Sequence, residues 1–240
     1  MRPLTGERLL TACDEAAKED CLARSLTLLS LALPEKDRRE LARLSLAERN
    51  VLLLRLHELS FGSTLEGFGP CSHCSAHLEF ALPVSALIEH LNSRLPGEAM
   101  AWSEEEREYR LRAVTTADLM AVLDVPDLEE AQKRLLQRCV SVSGAALNSS
   151  SFLATPSLLE RFNQLHESAE LSCSIHCPDC SHDETLDLDI ARFLWLEVRR
   201  AGQKLLEEIH ELAWAYGWSE RAIARMHPRR RNAYLEMLTA

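Results

Sequence analysis

Two pairs of cysteines in this sequence have the spacing of metal-binding turns. The first pair lies in residues 71–74 (CSHC) and the second in residues 177–180 (CPDC). A Cys-x-x-Cys turn presents two sulfur atoms to one ion, and a structural zinc ion takes four such ligands in a tetrahedron. Because one pair fills only half of the tetrahedron, we predict that both pairs hold one structural Zn²⁺ per chain, through Cys71, Cys74, Cys177 and Cys180.

The residues around the two pairs form a weak internal repeat with an offset of 106 residues. After each pair, apolar residues alternate with polar ones, which predicts a half-buried strand leading into a helix. The matching residues are Phe80, Leu82 and Val84 in the first copy and Leu186, Leu188 and Ile190 in the second. Two such units packed face to face make a zinc ribbon, divided here by the 102 residues between Cys74 and Cys177.

Three other interpretations of the cysteines stay open. A redox Cys-x-x-Cys pair would follow a strand and open a helix. Two separate metal sites would need further ligands, and the candidates are His73, His77, His176 and His182. Cys173 could also replace one of the four ligands. The sequence departs from the usual zinc-binding turn as well, because a serine follows the second cysteine of each pair where glycine is common.

The remaining cysteines and the known catalytic motifs point away from catalysis. Cys13, Cys21 and Cys139 lie in predicted helices, and we expect them to be buried free thiols. A zinc deaminase needs His-x-Glu before Pro-Cys-x-x-Cys, whereas residues 77–79 (HLE) and 182–184 (HDE) both follow the first pair. A site with four cysteine ligands has no open position for a substrate. We therefore predict a protein with no catalytic residues and no small-molecule substrate.

The composition favours a mainly α-helical protein. Aromatic residues make up only 5% of the chain, and its formal net charge of −10 disfavours nucleic acid and acidic membranes as partners. The most apolar stretch, residues 22–33, is too short to span a membrane. Residues 10–13 (LTAC) match a lipoprotein cleavage site, but Glu7 and Arg8 lie where the apolar signal core would be. We expect a cytoplasmic protein, in a compartment where paired cysteines bind metal more often than they form disulfides.

Five regions follow from the patterns along the chain. They are an N-terminal helical region (1–62), a first zinc-binding half (63–91), a mostly helical insertion (92–170), a second zinc-binding half (171–190) and C-terminal helices (191–240). The sequence thus predicts a mainly α fold with a small β zinc ribbon, split by the insertion, and a long C-terminal helix followed by short ones.

Sequence patterns also predict several helix starts and one strand. We expect Thr5, Thr116 and the capping boxes at residues 45–48 and 157–160 to begin helices. Leu52, Leu53, Leu56 and Leu59 are expected to form one apolar face. The insertion should contain a polar connector over 92–108, a strand over 109–113, helices from about 116 and over 128–140, and a serine-rich loop over 143–151.

The C-terminal region contains the predicted partner-binding residues. Apolar residues at spacings of three and four predict one helix from about 189 to 216, which Gly217 would end. Its apolar side would complete an intramolecular bundle, or part of it would contact another protein. The candidate contact residues are Trp195, Trp214, Trp218, Arg229, Arg230 and Arg231. Residues 191–240 carry a net charge of +3, so a zinc-ribbon nucleic-acid-binding protein is the alternative function.

Several segments share a further likeness. They are 46–56 (LAERNVLLLRL), 61–62 (FG) with 65–67 (LEG), Cys71-x-x-Cys74 followed by 78–80 (LEF), 109–112 (YRLR) with 117–119 (ADL), and 216–220 (YGWSE) with 229–235 (RRRNAYL). Together these segments resemble a family of baseplate and baseplate-hub assembly proteins from contractile phage tails and related contractile injection systems. This resemblance implies a non-enzymatic protein that helps to assemble the hub of a contractile tail. Its partners would be tail-hub or baseplate proteins, and it would act in the cytoplasm or become part of a phage-tail-like particle.

Overall fold

The computed structural model describes residues 1–93, 99–104, 107–143, 155–167 and 169–239. These residues form a mainly α-helical protein with small antiparallel sheets, which confirms the predicted fold class. The helices are α1 (Glu7–Ala16), α2 (Cys21–Ala32), α3 (Arg38–Ala42), α4 (Leu46–Phe61), α5 (Val84–Ser93), α6 (Thr116–Met120), α7 (Leu128–Cys139), α8 (Pro156–Glu167), α9 (Ile190–Tyr216), α10 (Glu220–Ala224) and α11 (Pro228–Thr239). The strands are β1 (Thr64–Pro70), β2 (His77–Pro83), β3 (Met100–Glu104), β4 (Arg107–Leu111), β5 (Val140–Val142), β6 (Ser172–His176) and β7 (Asp183–Asp187).

The long helix α9 crosses the main hydrophobic core. It packs against α1, α2, α4, α10 and α11. Leu194, Val198, Leu205, Ile209 and Leu212 are buried along one side of α9, as the helical spacing predicts. This apolar side therefore completes an intramolecular bundle. Gly217 ends the helix in the left-handed conformation, with φ of 69°, where glycine has no Cβ to strain.

The helix starts agree with the sequence where the capping side chain has a local partner. In the capping box at the start of α4, Ser45 Oγ accepts from Glu48 N, and the Glu48 carboxylate accepts from Ser45 N. Ser219 likewise caps α10 by accepting from Ala222 N. Both bonds lie within one helical turn, so a short stretch of sequence is enough to predict them.

Three predicted helix starts are wrong by one or two residues. Gly6 precedes α1 in place of Thr5, Thr115 caps α6 in place of Thr116, and Thr155 Oγ1 accepts from Leu158 N at the start of α8. Gly6 has a φ of 54°, and a Cβ there would collide with the carbonyl oxygen of Ala224. The close approach of α10 thus requires glycine at this position, and a distant contact of this kind leaves no local signal.

The predicted apolar face of α4 is also partly wrong. Leu53, Leu54 and Leu56 are fully buried, but Leu59 is 52% exposed. Helix α4 packs against α2, α5 and α9. Because neighbours cover α4 from several directions, its buried surface is wider than the single stripe that we predicted.

The insertion has a small hydrophobic core of its own. Its strands form a three-stranded antiparallel sheet in the order β3-β4-β5. Leu111, Leu136, Val140, Leu158 and Phe162 are buried between this sheet and the helices of the insertion. The predicted strand over 109–113 corresponds to β4, which ends at Leu111, but β3 and β5 were not predicted. Residues 94–98 and 105–106 of the predicted polar connector, and most of the serine-rich loop, lie outside the described residues.

A buried carboxylate joins the elements of the insertion. Asp118 accepts hydrogen bonds from both terminal nitrogens of Arg112, at 2.6 and 3.0 Å, from Arg138 Nε at 2.9 Å, and from Thr115. Burial by itself would raise the pKa of Asp118, but the bonds from Arg112 and Thr115 lower it to about 2. This carboxylate therefore connects α6 to α7 and to the residue that follows β4.

Two further expectations can be compared with the structure. Cys139 is buried as predicted, but Cys21 is exposed and Cys13 is only half-buried, because Cys21 is the first residue of its helix and lies at the edge of the core. No helix within the described ranges is long and apolar enough to cross a membrane.

Candidate metal centre

Each cysteine pair lies in the turn of an antiparallel hairpin. In the first hairpin β1 pairs with β2, and the pair closest to the turn is Pro70 with His77. In the second, β6 pairs with β7, and the pair closest to the turn is His176 with Asp183. The strand and helix after each pair agree with the predicted repeat, whereas the preceding strands β1 and β6 were not predicted.

The backbone hydrogen bonds of the two turns match one another. Cys71 N donates to Ala76 O at 2.8 Å, and Ser75 N donates to Cys71 O at 2.9 Å. The equivalent bonds in the second turn run from Cys177 N to His182 O and from Ser181 N to Cys177 O, both at 2.9 Å. The offset of 106 residues found in the sequence therefore relates two copies of one backbone structure.

The residue after each pair has the backbone conformation that favours glycine. Ser75 has a φ of 62° and Ser181 a φ of 58°, and they are the non-glycine residues with positive φ in the described part of the chain. A left-handed φ costs an L-residue on the order of 1 kcal/mol. The serines thus differ from the usual glycine in residue type, but the two turns keep the backbone conformation of a metal-binding turn.

The four sulfur atoms meet in one place. All four lie within 4.8 Å of one another. Cys71 Sγ is 3.7 Å from Cys180 Sγ, and Cys74 Sγ is 3.6 Å from Cys177 Sγ. These separations are far longer than a disulfide bond of about 2 Å. They match the roughly 3.8 Å edge of a tetrahedron with metal–sulfur bonds of about 2.3 Å. The four cysteines therefore fit one metal ion.

A small apolar cluster surrounds these cysteines, separate from the main core. Cys71 and Cys177 are buried, Cys180 is half-buried and Cys74 is exposed. Leu78, Ala76 and Ile175 pack beside the buried sulfurs. With so few apolar neighbours, the two hairpin turns have little hydrophobic surface with which to hold one another. A shared ion would supply the missing stabilisation.

Electrostatics around the sulfurs favour a bound cation. Backbone N–H groups of Cys180 and Asp179 bond to Cys177 and lower the pKa of its thiol to about 7. A backbone N–H of His182 also favours the Cys180 thiolate, but burial and the neighbouring cysteines outweigh it and raise the pKa of Cys180 to about 12. Four thiolates this close repel one another, and a divalent cation between them removes that repulsion.

One contact between the hairpins has no counterpart in the repeat. The carboxylate of Glu184 accepts from Ser72 N at 3.0 Å and from Ser72 Oγ at 2.6 Å, and these bonds lower the pKa of Glu184. In the other copy, Leu78 takes the place of Glu184 and has no carboxylate. Pro178 takes the place of Ser72 and has no N–H. We did not predict this contact, because the partners are 112 residues apart.

The alternative ligands lie outside this group. Among the described residues, the cluster of potential metal ligands contains the four cysteines and no histidine. His73 and His182 stack on one another at 5.6 Å between ring centroids, and His176 Nδ1 lies 2.9 Å from Asp183 Oδ1. Cys173 lies within β6, opposite Leu186. Neither pair opens a helix, as a redox pair would.

The predicted partner-binding residues have very different surroundings. Trp195 is only 7% exposed and lies under the Arg24 guanidinium at 4.6 Å. Arg231 is buried too, and its Nε lies 2.7 Å from Glu208 Oε2. Both residues are used inside the chain, because Trp195 faces the bundle and α11 folds back onto α9. In this conformation they are not available to a partner, which corrects the prediction for these two residues.

The other candidates are more accessible. Trp214 is 88% exposed on α9, and Arg229 and Arg230 are exposed at the start of α11. Trp218 is half-buried, and its ring packs against Tyr216 and Tyr234 at centroid distances of 4.6 and 4.9 Å. A partner-binding role for these four residues stays a prediction.

Comparison with protein-family models, with curated proteins and with solved structures gives no match for this chain. The resemblance to baseplate assembly proteins therefore rests on the sequence segments alone.

Proposed function

We propose that this protein is a zinc-stabilised assembly protein without enzymatic activity. The observation that supports it best is the convergence of four cysteine sulfurs within 4.8 Å of one another, from two hairpins that are far apart in the sequence. Four thiolates in a tetrahedron suit zinc, with an iron–sulfur centre as the main competitor. When bound, the ion would supply a structural cross-link, because four protein ligands leave no position for a substrate.

The position of this cross-link in the fold suggests what it stabilises. The insertion begins after α5 and ends before β6, so the two hairpins hold its ends. Joining the hairpins through one ion would close this long loop and restrict how the insertion lies against the helical core. We infer that the metal keeps a binding surface in shape and takes no part in a reaction.

The proposed partners are proteins of the baseplate hub in a contractile tail or contractile injection system. The segments that resemble this family support the proposal, together with exposed Trp214 on α9 and exposed Arg229 and Arg230 on α11. Tryptophan and arginine are enriched among the residues that dominate protein interfaces. We propose that the protein acts in the cytoplasm while the hub is built.

Native mass spectrometry with elemental analysis tests the metal site. We expect one zinc per chain, lost in both Cys71→Ser and Cys177→Ser, because each change removes one of four shared ligands. Cys173→Ser is the matched control, since it changes a neighbouring cysteine outside the group and should retain the ion. Iron with sulfide would overturn the assignment to zinc. Two zinc ions, each lost in only one variant, would overturn the single shared site.

Co-purification tests the assembly function separately. A tagged chain, expressed together with the tail genes of its own source, should retain hub proteins. Trp214→Ala should weaken this retention, whereas Gln203→Ala, another exposed change on α9, should not. Gradient-purified particles would show whether the protein stays in the finished tail. If the metal-loaded chain retains no hub protein, the assembly function is wrong while the metal site stands.

A further inference from the structure

A cavity of about 430 Å³ lies beside Arg49, and its lining contains Cys21 but none of the four clustered cysteines. Its size falls within the range of sites that bind small molecules. Residues of α2, α4 and α6 line it, together with the chain on both sides of the second hairpin. Its apolar lining includes Leu22, Leu46, Leu119, Leu171, Leu188 and Ile190.

Arg49 is the buried cation of this cavity. It is only 8% exposed, and in the described part of the chain it forms no ion pair with a carboxylate. Nε and Nη2 donate to Asn50 Oδ1 at 3.3 and 3.0 Å, and Nη1 lies 3.5 Å from Thr116 Oγ1. Both acceptors are neutral. Since a guanidinium has five N–H groups, part of its donor capacity is left for another acceptor.

The surroundings hold this guanidinium in place without neutralising it. Asn50 Nδ2 donates to Ala169 O at 3.3 Å, which keeps the Asn50 oxygen turned toward Arg49. Burial lowers the pKa of Arg49, although the charge of Asp189 opposes this effect. A buried cation without an ion-pair partner is costly, and a bound anion would remove much of that cost.

The carboxylates that line the cavity do not take that role. Asp189 Oδ1 accepts from Arg192 N at 3.0 Å and caps α9. Asp187 and Glu170 are exposed. Together these three groups make part of the lining acidic, which repels ligands with several negative charges, such as phosphates. A single carboxylate on an apolar body suits both the leucine-rich lining and the one buried guanidinium.

We propose that this cavity binds one carboxylate carried on a short aliphatic body, and that Arg49 binds the carboxylate oxygens. The carboxylate would come from a free organic acid or from the C-terminal residue of a polypeptide. This inference does not rest on the proposed assembly function, because it uses only the cavity, its lining and its unpaired cation.

Titration of the full-length, metal-loaded chain, followed by ¹H–¹⁵N NMR, tests this site. Hexanoate should shift amide signals around the cavity in a saturable way. Hexanol, which has the same chain without the charge, should bind at least about tenfold more weakly, because a hydrogen bond to a charged group is lost. N-acetyl-leucine against N-acetyl-leucinamide repeats the comparison for a polypeptide C-terminus and shows which source is preferred.

Variants at Arg49 make the test specific. Arg49→Met should abolish the response to hexanoate and should remain folded, since loss of a buried charge without an ion-pair partner offsets the loss of its hydrogen bonds to Asn50. Arg55→Met removes an exposed arginine from the same helix and should change nothing. Arg49→Lys keeps the charge without the planar fork and should bind about tenfold more weakly.

Each of the following results would overturn the proposal. They are equal responses to hexanoate and hexanol, unchanged hexanoate binding in Arg49→Met, and absence of saturation at about 50 mM hexanoate. Binding weaker than this does not indicate a specific site. Competition by inorganic phosphate would also contradict it, because the site would then bind anions in general.

Discussion

At the scale of single residues, the two serines that follow the cysteine pairs show how a metal-binding turn tolerates a strained backbone. Ser75 and Ser181 have the positive φ that glycine adopts without cost. Each turn retains the hydrogen bond from this residue back to the first cysteine of the pair. The turn geometry is thus kept by the backbone and the shared sulfur site, in spite of the side chain.

Ser75→Gly and Ser181→Gly should each stabilise the metal-loaded protein, by up to about 1 kcal/mol. Glycine removes the cost of the left-handed conformation, and the greater freedom of the unfolded chain offsets part of this gain. Ser85→Gly is the matched control. Ser85 lies in helix α5, where glycine does not stabilise the protein. Urea unfolding measures all three, and a loss of stability in both turn variants would contradict the argument.

At the scale of elements, close packing of α1 on α9 depends on a glycine in the long helix. Gly202 is buried on α9, and a Cβ there would collide with Cys13 Sγ of α1, but would lie 3.7 Å from Cys13 Cβ. Glycine in a helix interior costs up to about 1 kcal/mol relative to alanine. Its presence in the middle of α9 is therefore explained by the sulfur atom that it accommodates.

Gly202→Ala should destabilise the protein by about 1 kcal/mol, because overpacking of the contact between α1 and α9 by the new methyl group exceeds the gain in helix propensity. Cys13→Ala in the same chain should restore most of the loss, since only the sulfur is in the way. Thermal or urea unfolding of the two single variants and the double variant gives the coupling energy. Gln203→Ala, an exposed neighbour, should stay within about 0.5 kcal/mol of the wild type. Independent effects of the two changes would contradict this contact.

At the scale of the whole molecule, the main core and the cysteine site are separate. The helices pack around one large hydrophobic cluster, and the four cysteines lie in a much smaller one. The insertion adds a third cluster with its own buried residues. Stabilisation by an ion at the four cysteines would therefore be local to the hairpins and to the position of the insertion that they hold.

Removal of the metal with a chelator under reducing conditions should leave most of the helical circular dichroism at 25 °C. It should also lower the melting temperature, and proteases should then cut within residues 64–83 and 172–187. The reason is that the main core keeps its buried leucines, while the hairpins lose the ion that joins them. A Cys71→Ser/Cys177→Ser variant should behave in the same way without chelator. Loss of most helical signal on chelation would show that the whole fold depends on the ion.

Much of the fold follows from local sequence patterns. The apolar spacing of α9, the capping box of α4 and the repeat around the cysteine pairs depend on residues a few positions apart, and the structure confirms them. The four cysteine positions were predictable for the same reason, because each turn contains both of its sulfurs. Side-chain periodicity and turn chemistry act over one or two turns of chain, and a single sequence is enough to show them.

The tertiary structure alone decided the features that depend on distant contacts. It brought the two cysteine pairs together, paired Ser72 with Glu184 and buried Trp195 and Arg231. It also left Arg49 beside a cavity, with no carboxylate partner among the described residues. Each of these outcomes depends on which surfaces meet after the helices pack, and that depends on all of the core residues together. The sequence by itself thus determined the four cysteines that could hold an ion, and the packing of the chain determined their meeting and the surfaces left exposed around them.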